Sequence, residues 1–328
     1  MLNDVVDGQL TVVVQRGIRK PAETLPFGSL TERHNFMSQT KQSENFYSYR
    51  VGSIEVSVVS DGHITVPLAE GLIPGVSLSD IQRALSEAML PTETITTTFA
   101  PLLFKSGSKT TLIDTGFGPD VGDEAGSTRG LLVGNMKANG VDPTDIDVVV
   151  ISHFHPDHVN GLLSQGKLTF PNAMITVPEP EWQFWMNAEE MKQAPAGRMS
   201  QLFQNNRDIF EQVGERLSVF KWGAEIVPGL EAVAAPGHSI GHTAFWLRSG
   251  DEQVFIQSDL TNQAALFVAN PDWYSALDQF PEQTVQTRRR FCDMLAEKRI
   301  PLQAFHHPFP GRCYLEKDGA AYRRIPID

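Results

Sequence analysis

Four consecutive β-branched residues, Val148-Val149-Val150-Ile151, run straight into Ser152-His153-Phe154-His155-Pro156-Asp157-His158. An apolar run without alternation is expected of a strand covered on both faces, so residues 147–151 predict a buried strand inside a layered fold. Three imidazoles and a carboxylate directly behind such a strand have a use when they share a ligand. His153 and His155 are two apart, so on an extended backbone their side chains point the same way and can grip one metal ion. Asp157 and His158 follow Pro156 at a loop-to-helix transition, point differently, and can reach a second ion. Imidazole and carboxylate without thiolate suit zinc; manganese, iron and cobalt are compatible with the same donors.

Around this segment the pattern alternates strands and helices without a strict βαβ repeat. Ile54, Val56 and Val58 alternate with Glu55 and Ser57, the period of a half-buried strand closed by Asp61-Gly62. Residues 77–89 predict a helix from the spacing of Leu78, Ile81, Leu85 and Met89. Residues 100–113 predict two strands about the turn Lys105-Ser106-Gly107-Ser108, and residues 130–139 a short helix closed by Gly140. Later strands are expected at 173–177, 230–234 and 254–257, and a helix at 284–298, stopped before Pro301. Residues 1–45 are polar and irregular, with Pro21, Pro26 and a Ser/Gln/Asn-rich stretch. They predict an N-terminal arm ahead of one domain at 46–328.

His-x-His-x-Asp-His after a buried strand resembles the signature of the metallo-β-lactamase superfamily, and further landmarks follow in order. Leu112-Ile113-Asp114-Thr115-Gly116 resembles its Asp-Thr-Gly turn. Pro236-Gly237-His238-Ser239-Ile240-Gly241-His242-Thr243 resembles its Gly-His-x-x-Gly-His-Thr segment, and Ser258-Asp259-Leu260 the segment of its bridging Asp. Phe305-His306-His307-Pro308-Phe309-Pro310-Gly311 resembles its last ligand segment. The resemblance spans about residues 50–325. It implies an α/β (α+β) fold, a four-layer αββα sandwich, with the site on loops at one edge. It also implies two divalent ions per chain: one on His153, His155 and His238, the other on Asp157, His158 and His306, with Asp259 bridging. His306 is preferred to His307 by its distance from Pro310-Gly311. Asp61, Asp114 and His242 match positions near the site and are expected to orient ligand rings through the second nitrogen. His34 and His63 stand in no motif and read as ordinary polar residues.

Two ions sharing a bridging hydroxide would make this a hydrolase, with Asp157 or Asp259 passing a proton to the leaving group. The order of motifs looks most like the branch of methyl parathion hydrolase and the N-acyl-homoserine lactonases. There Trp182, Phe184, Trp185 and Phe203, with Phe210 beyond, would wall an apolar pocket for a small, neutral, partly hydrophobic substrate. A lactone or carboxylic ester is expected first and an organophosphate triester second. A glyoxalase II-like thioester hydrolase would use a basic C-terminal region, for which Arg323-Arg324 and Arg288-Arg289-Arg290 are candidates. The latter run reads more simply as a solvated helix face. A flavin-linked di-iron oxidoreductase would carry Glu in place of His155 and a further domain. A metal-binding scaffold without catalysis is the non-enzyme alternative.

Composition removes other classes. The chain has 27 basic and 39 acidic residues, a net charge of −12, so nucleic acid and anionic membrane are poor partners. The absence of a long apolar run argues against a membrane span, and the N-terminus lacks a signal pattern, so a cytoplasmic protein is expected. The two cysteines, Cys292 and Cys313, are isolated and suit a reducing compartment. The arm and the resemblance together suggest a homodimer.

Overall fold

Phe245 and Leu247 point one way from their strand and Trp246 the other, yet all three are buried. The same holds for Val254 and Ile256 against Phe255 on the neighbouring strand. Such strands need cover on both faces, and the computed structural model, which describes residues 42–122 and 128–327, provides it. Two sheets face each other across a core. Tyr49, Val56, Val58, Leu102 and Phe104 enter it from one sheet, and Leu230, Ala232, Phe245, Leu247 and Ile256 from the other. On the outer face of the second sheet, Trp246, Phe255, Cys313 and Leu315 pack against Phe291, Cys292 and Leu295 of the helix Pro281–Lys298. Helices also contact the outer side of the first sheet, completing the αββα layering.

The first sheet has eight described strands in the order Gln42–Ser43, Phe46–Val51, Ile54–Val59, Leu102–Ser106, Lys109–Ile113, Val148–Val150, Met174–Pro178, Leu217–Phe220. Its first half is antiparallel; from Lys109–Ile113 onward the neighbours are parallel. The second sheet has seven, in chain order from Glu225–Val227 to Ala321–Pro326. A separate two-stranded antiparallel sheet, Gly62–Pro67 with Thr94–Phe99, carries Thr98 toward the site.

Several sequence expectations shift in detail. Residues 42–45 are part of a strand pair rather than arm, since Gln42–Ser43 pairs with Phe46–Val51; the rest of the proposed arm, with His34, lies outside the described residues. The helix expected at 77–89 is Leu78–Glu87: Ser77 Oγ caps its start by accepting the Asp80 N–H, and Met89 leaves it with φ +57 and 91% exposure. Arg288 is not on a solvated face. It is buried and donates to the carbonyls of Leu260, Pro271 and Trp273, holding the loop that follows Asp259. Arg289 pairs with Asp272, and Arg290 donates to the Ala234 carbonyl. Among the described residues no helix is long and apolar enough to cross a membrane.

Candidate metal centre

The buried strand Val148–Val150 ends where Ser152 N–H and Oγ–H both donate to Asp114, at 2.8 Å each. The extended residues that follow place His153 and His155 on one side and Phe154 on the other, where it stacks on Phe210. Pro156 then opens the one-turn helix Pro156–Val159, with His155 as its extended N-cap. That turn brings in Asp157 and His158, with the His158 ring 4.1 Å from that of His153, centroid to centroid. Ser258, just before Asp259, takes φ +51, and Asp114 takes φ +61. Left-handed backbone at non-glycine residues costs about 1 kcal/mol or more and persists where surroundings hold it.

Two groups of side chains converge. His153, His155, His238 and Asp259 form one, and Asp157, His158, Asp259 and His306 the other; within each, one ligand atom per residue lies within 4.8 Å of all the rest. In the first, His155 Nδ1 lies 3.0 Å from His153 Nε2 and 2.9 Å from His238 Nε2. In the second, Asp259 Oδ1 lies 3.2 Å from His158 Nε2, and His306 Nε2 lies 3.3 Å from Asp157 Oδ2 and 3.0 Å from Asp259 Oδ2. Asp259 belongs to both.

The outer ring nitrogens are already committed. His158 Nδ1–H donates to Asp114 at 2.9 Å, His238 Nδ1–H to Asp278 at 2.7 Å, and His306 Nδ1–H to the Thr98 carbonyl at 2.9 Å. Each contact leaves Nε2 as the nitrogen facing inward. His158 Nε2 and Asp259 Oδ1 are buried and have no hydrogen-bond partner. Two orphaned acceptors and a knot of inward imidazole nitrogens are the arrangement a divalent cation satisfies; neighbouring ligands on a tetrahedral zinc sit about 3.3 Å apart. The donors therefore fit two divalent ions.

Burial alone would lower every imidazole here, but the carboxylates override it at three of them. Asp259 and Asp157 raise His306 to about 10, and Asp259 with Asp278 raises His238 to about 9. His158 is raised by Asp259, Asp157 and Asp114. His153 and His155 stay lowered by burial and by the neighbouring imidazoles. Against their own burial, Asp157 and Asp259 are held down by the imidazoles around them. The carboxylate charge of the site thus favours protons on His158, His238 and His306, with which divalent ions would compete.

The neighbouring residues divide differently from expectation. Asp114 does orient a ligand ring. His242 does not: its Nδ1–H donates to the Ala235 carbonyl at 2.8 Å, and its Nε2 accepts the Asp259 backbone N–H at 3.0 Å, so it positions Asp259 through the main chain. Asp61 touches no ligand ring; its carboxylate accepts the N–H groups of Phe117, Gly130 and Leu132 and ties loops together. A Cβ on Gly116 would lie 2.3 Å from that carboxyl carbon, which explains the glycine of the Asp-Thr-Gly turn. His307 points away from the ligand groups, donating from Nε2 to the Thr261 carbonyl at 2.9 Å.

Two buried carboxylates were not legible as participants. Asp278 stands alone in an irregular loop. Glu181, within the Pro-Glu-Trp segment, accepts from Phe154 N–H, Trp185 Nε1–H, Ser239 Oγ–H and Gly241 N–H. It ties the loop of His153 and His155 to that of His238. The only signal in sequence is a Glu four residues before a Trp on a short helix.

A cavity of about 170 Å³ opens beside His155, walled by Trp185, Met199, Leu202, Leu277 and Arg198. Of the aromatic residues expected in the wall, Trp185 lines it. Phe203 and Phe184 pack behind Trp185, and Trp182 packs edge-on against Phe210. This cavity is of mixed character: Trp185 and aliphatic side chains line it together with Arg198, Asp278 and Gln279.

Residues 101–285 match the family model of the metallo-beta-lactamase superfamily. The chain belongs to this superfamily. Within it, the chain is 25% identical over 136 residues to the N-acyl homoserine lactonase of Bacillus thuringiensis, a match covering 40% of this chain and 46% of the relative. It is 29% identical over 120 residues to the N-acyl homoserine lactonase AttM of Azorhizobium caulinodans, covering 35% and 41%. The matches span less than half the length of these curated relatives. Among solved structures, AidC, a dizinc quorum-quenching lactonase in complex with a product, aligns with TM-score 0.81 at 25% identity, over 87% of this chain and 98% of that one. The hydrolase AbOPH aligns with TM-score 0.78 at 25% identity, over 88% and 99%.

Proposed function

We propose that this chain is a dizinc hydrolase of lactones or carboxylic esters, with His153, His155, His238, Asp157, His158, His306 and the shared Asp259 as metal ligands. The observation that carries this reading is the sharing of Asp259 between two buried ligand groups whose outer nitrogens are already hydrogen-bonded. All-imidazole and carboxylate donors support zinc, as does the likeness to a dizinc lactonase. When bound, two such ions supply Lewis acidity, making water nucleophilic at neutral pH and polarising a carbonyl.

The protein's own part is positioning and proton handling. Asp114, Asp278 and the Thr98 carbonyl hold ligand rings in one orientation and one tautomer. Asp157 has 16% of its side chain exposed against 3% for Asp259, so Asp157 is the carboxylate able to meet a leaving oxygen. From that exposed edge Asp157 would accept a proton transiently and pass it to the leaving oxygen. Trp185, Met199, Leu202 and Leu277 keep one side of the site apolar, which supports a small, partly hydrophobic substrate. A glutathione thioester is disfavoured because Arg288, Arg289 and Arg323 are engaged within the protein.

The test is a hydrolysis screen of zinc-loaded protein on acyl-homoserine lactones, aryl esters, dimethyl aryl phosphotriesters, S-lactoylglutathione and a cephalosporin. Lactone or ester turnover that disappears on chelation and returns with zinc is expected. Turnover confined to the phosphotriester, the thioester or the cephalosporin would replace the reading, and none at all would support a scaffold.

A further inference from the structure

Arg198 opens the helix Arg198–Val213 and lines the same cavity as His155. Most arginines that bear on the site's surroundings are satisfied: Arg288 by three carbonyls, Arg289 by Asp272, Arg207 by the Met186 carbonyl. Among the described residues no hydrogen bond or ion pair holds the Arg198 guanidinium. It nevertheless lies within electrostatic reach of both ligand groups, since it feels the charge of Asp157 and its own charge acts on His155. The remaining wall is apolar at Trp185, Met199, Leu202, Ala276 and Leu277 and polar at Asp278 and Gln279. The polar members of that wall are engaged elsewhere: Asp278 accepts from His238 Nδ1–H and the Ser275 N–H, and Gln279 Oε1 accepts the Ile240 N–H. A fully apolar group seated there would strip water from Arg198 without replacing its hydrogen bonds, which is unfavourable. A carboxylate would meet the planar fork in a bidentate pair, strengthened by the low-dielectric wall.

We infer that Arg198 is a specificity-determining residue, binding a carboxylate that the substrate carries away from the bond being cleaved. The favoured substrate is then an ester or lactone with an apolar middle and an anionic far end. This rests on the hydrolase reading above, but the carboxylate site can be measured without turnover.

The probes are succinate, adipate and suberate against hexanoate, titrated calorimetrically into zinc-loaded wild-type protein, Arg198→Gln and Arg198→Lys. One carboxylate of each is available to the metal centre; only the dicarboxylates have a second for Arg198. At least one dicarboxylate is expected to bind about ten-fold tighter than hexanoate to the wild type, with the advantage lost in Arg198→Gln and partly kept in Arg198→Lys. No dicarboxylate preference in the wild type, or one unchanged in Arg198→Gln, would overturn the inference. In turnover, Arg198→Gln should raise KM for the monophenyl ester of adipic acid about ten-fold and leave phenyl hexanoate unaffected, with kcat nearly constant for both. Equal effects on the two esters would also overturn it. If neither these esters nor the lactones of the screen above are turned over while the dicarboxylate preference persists, the hydrolase reading fails and the carboxylate site stands.

Discussion

Oδ1 of Asp278 lies 2.7 Å from Nδ1 of His238, and this contact decides which nitrogen His238 turns toward the ligand cluster. Asp278 is itself held, accepting the Ser275 N–H through its other oxygen at 2.8 Å. Removing it frees the ring to rotate and to change tautomer. Asp278→Ala should therefore weaken zinc binding at the group of His153, His155 and His238 by about 10–100-fold, measured by competition with a chromogenic chelator. Unchanged affinity would show that the ring is oriented by something else.

Glu181 accepts four hydrogen bonds from three segments while fully buried. Glu181→Ala would leave the donors of Phe154, Trp185, Ser239 and Gly241 without partners. A loss of at least about 2 kcal/mol in urea unfolding is expected, since each orphaned buried donor costs about 1–3 kcal/mol. A loss under half of that would mean water fills the vacated space and bonds all four.

Asp61 makes stability depend on pH in an unusual direction. Burial pushes its carboxyl up to about 7, outweighing the N–H groups of Phe117, Leu132 and Gly130 that favour the ionised form; the ordinary value is 3.8. Between about pH 4 and pH 7 the unfolded chain has lost this proton and the folded chain keeps it. The group's contribution to stability therefore falls as pH rises through that window and levels off above about 7. Asp61→Asn has no such titration. It should be less stable than wild type throughout, having lost one acceptor, with a gap that narrows from pH 5 to pH 7.5 in urea titrations. A gap that widens instead would mean the three N–H donors keep the carboxylate ionised in the fold.

Both thiols are buried and free, and burial raises Cys292 to about 12 and Cys313 to about 11. Neither is a thiolate near pH 8, so native protein should resist an aromatic disulfide reagent and react at both cysteines once unfolded in urea. Rapid labelling of native protein at either position would contradict the packing around the helix Pro281–Lys298.

The site was more legible than its support. His153, His155, Asp157 and His158 fall in one short run because a strand end and a single helical turn set their directions, and local sequence records both. His238, Asp259 and His306 were placed through a resemblance, each beside its own motif. What holds them was not legible: Asp278, the Thr98 carbonyl and Glu181 act across long sequence separations, and a lone acid in a loop has no periodicity to mark it. Which aromatic rings border the cavity beside His155 is not legible for a related reason. Trp182, Phe184 and Trp185 sit on one short helix, Glu179–Trp185, and only its packing against the helix Arg198–Val213 decides which ring faces the cavity. In the fold, the double-sided burial of 147–151 was plain, whereas the arginine run at 288–290 hid a core residue, because charge alone cannot report a guanidinium satisfied by carbonyls.

The ligands come from opposite halves of the sandwich. His153, His155, Asp157 and His158 hang from the first sheet; His238, Asp259 and His306 from the second. An ion held by either group would rivet one half to the other, and the site is only as well formed as the alignment of the halves. A slight shear anywhere in the shared interior, far from any ligand, would pull the rivet holes out of line. In this architecture durability and reactivity are adjusted by the same screw.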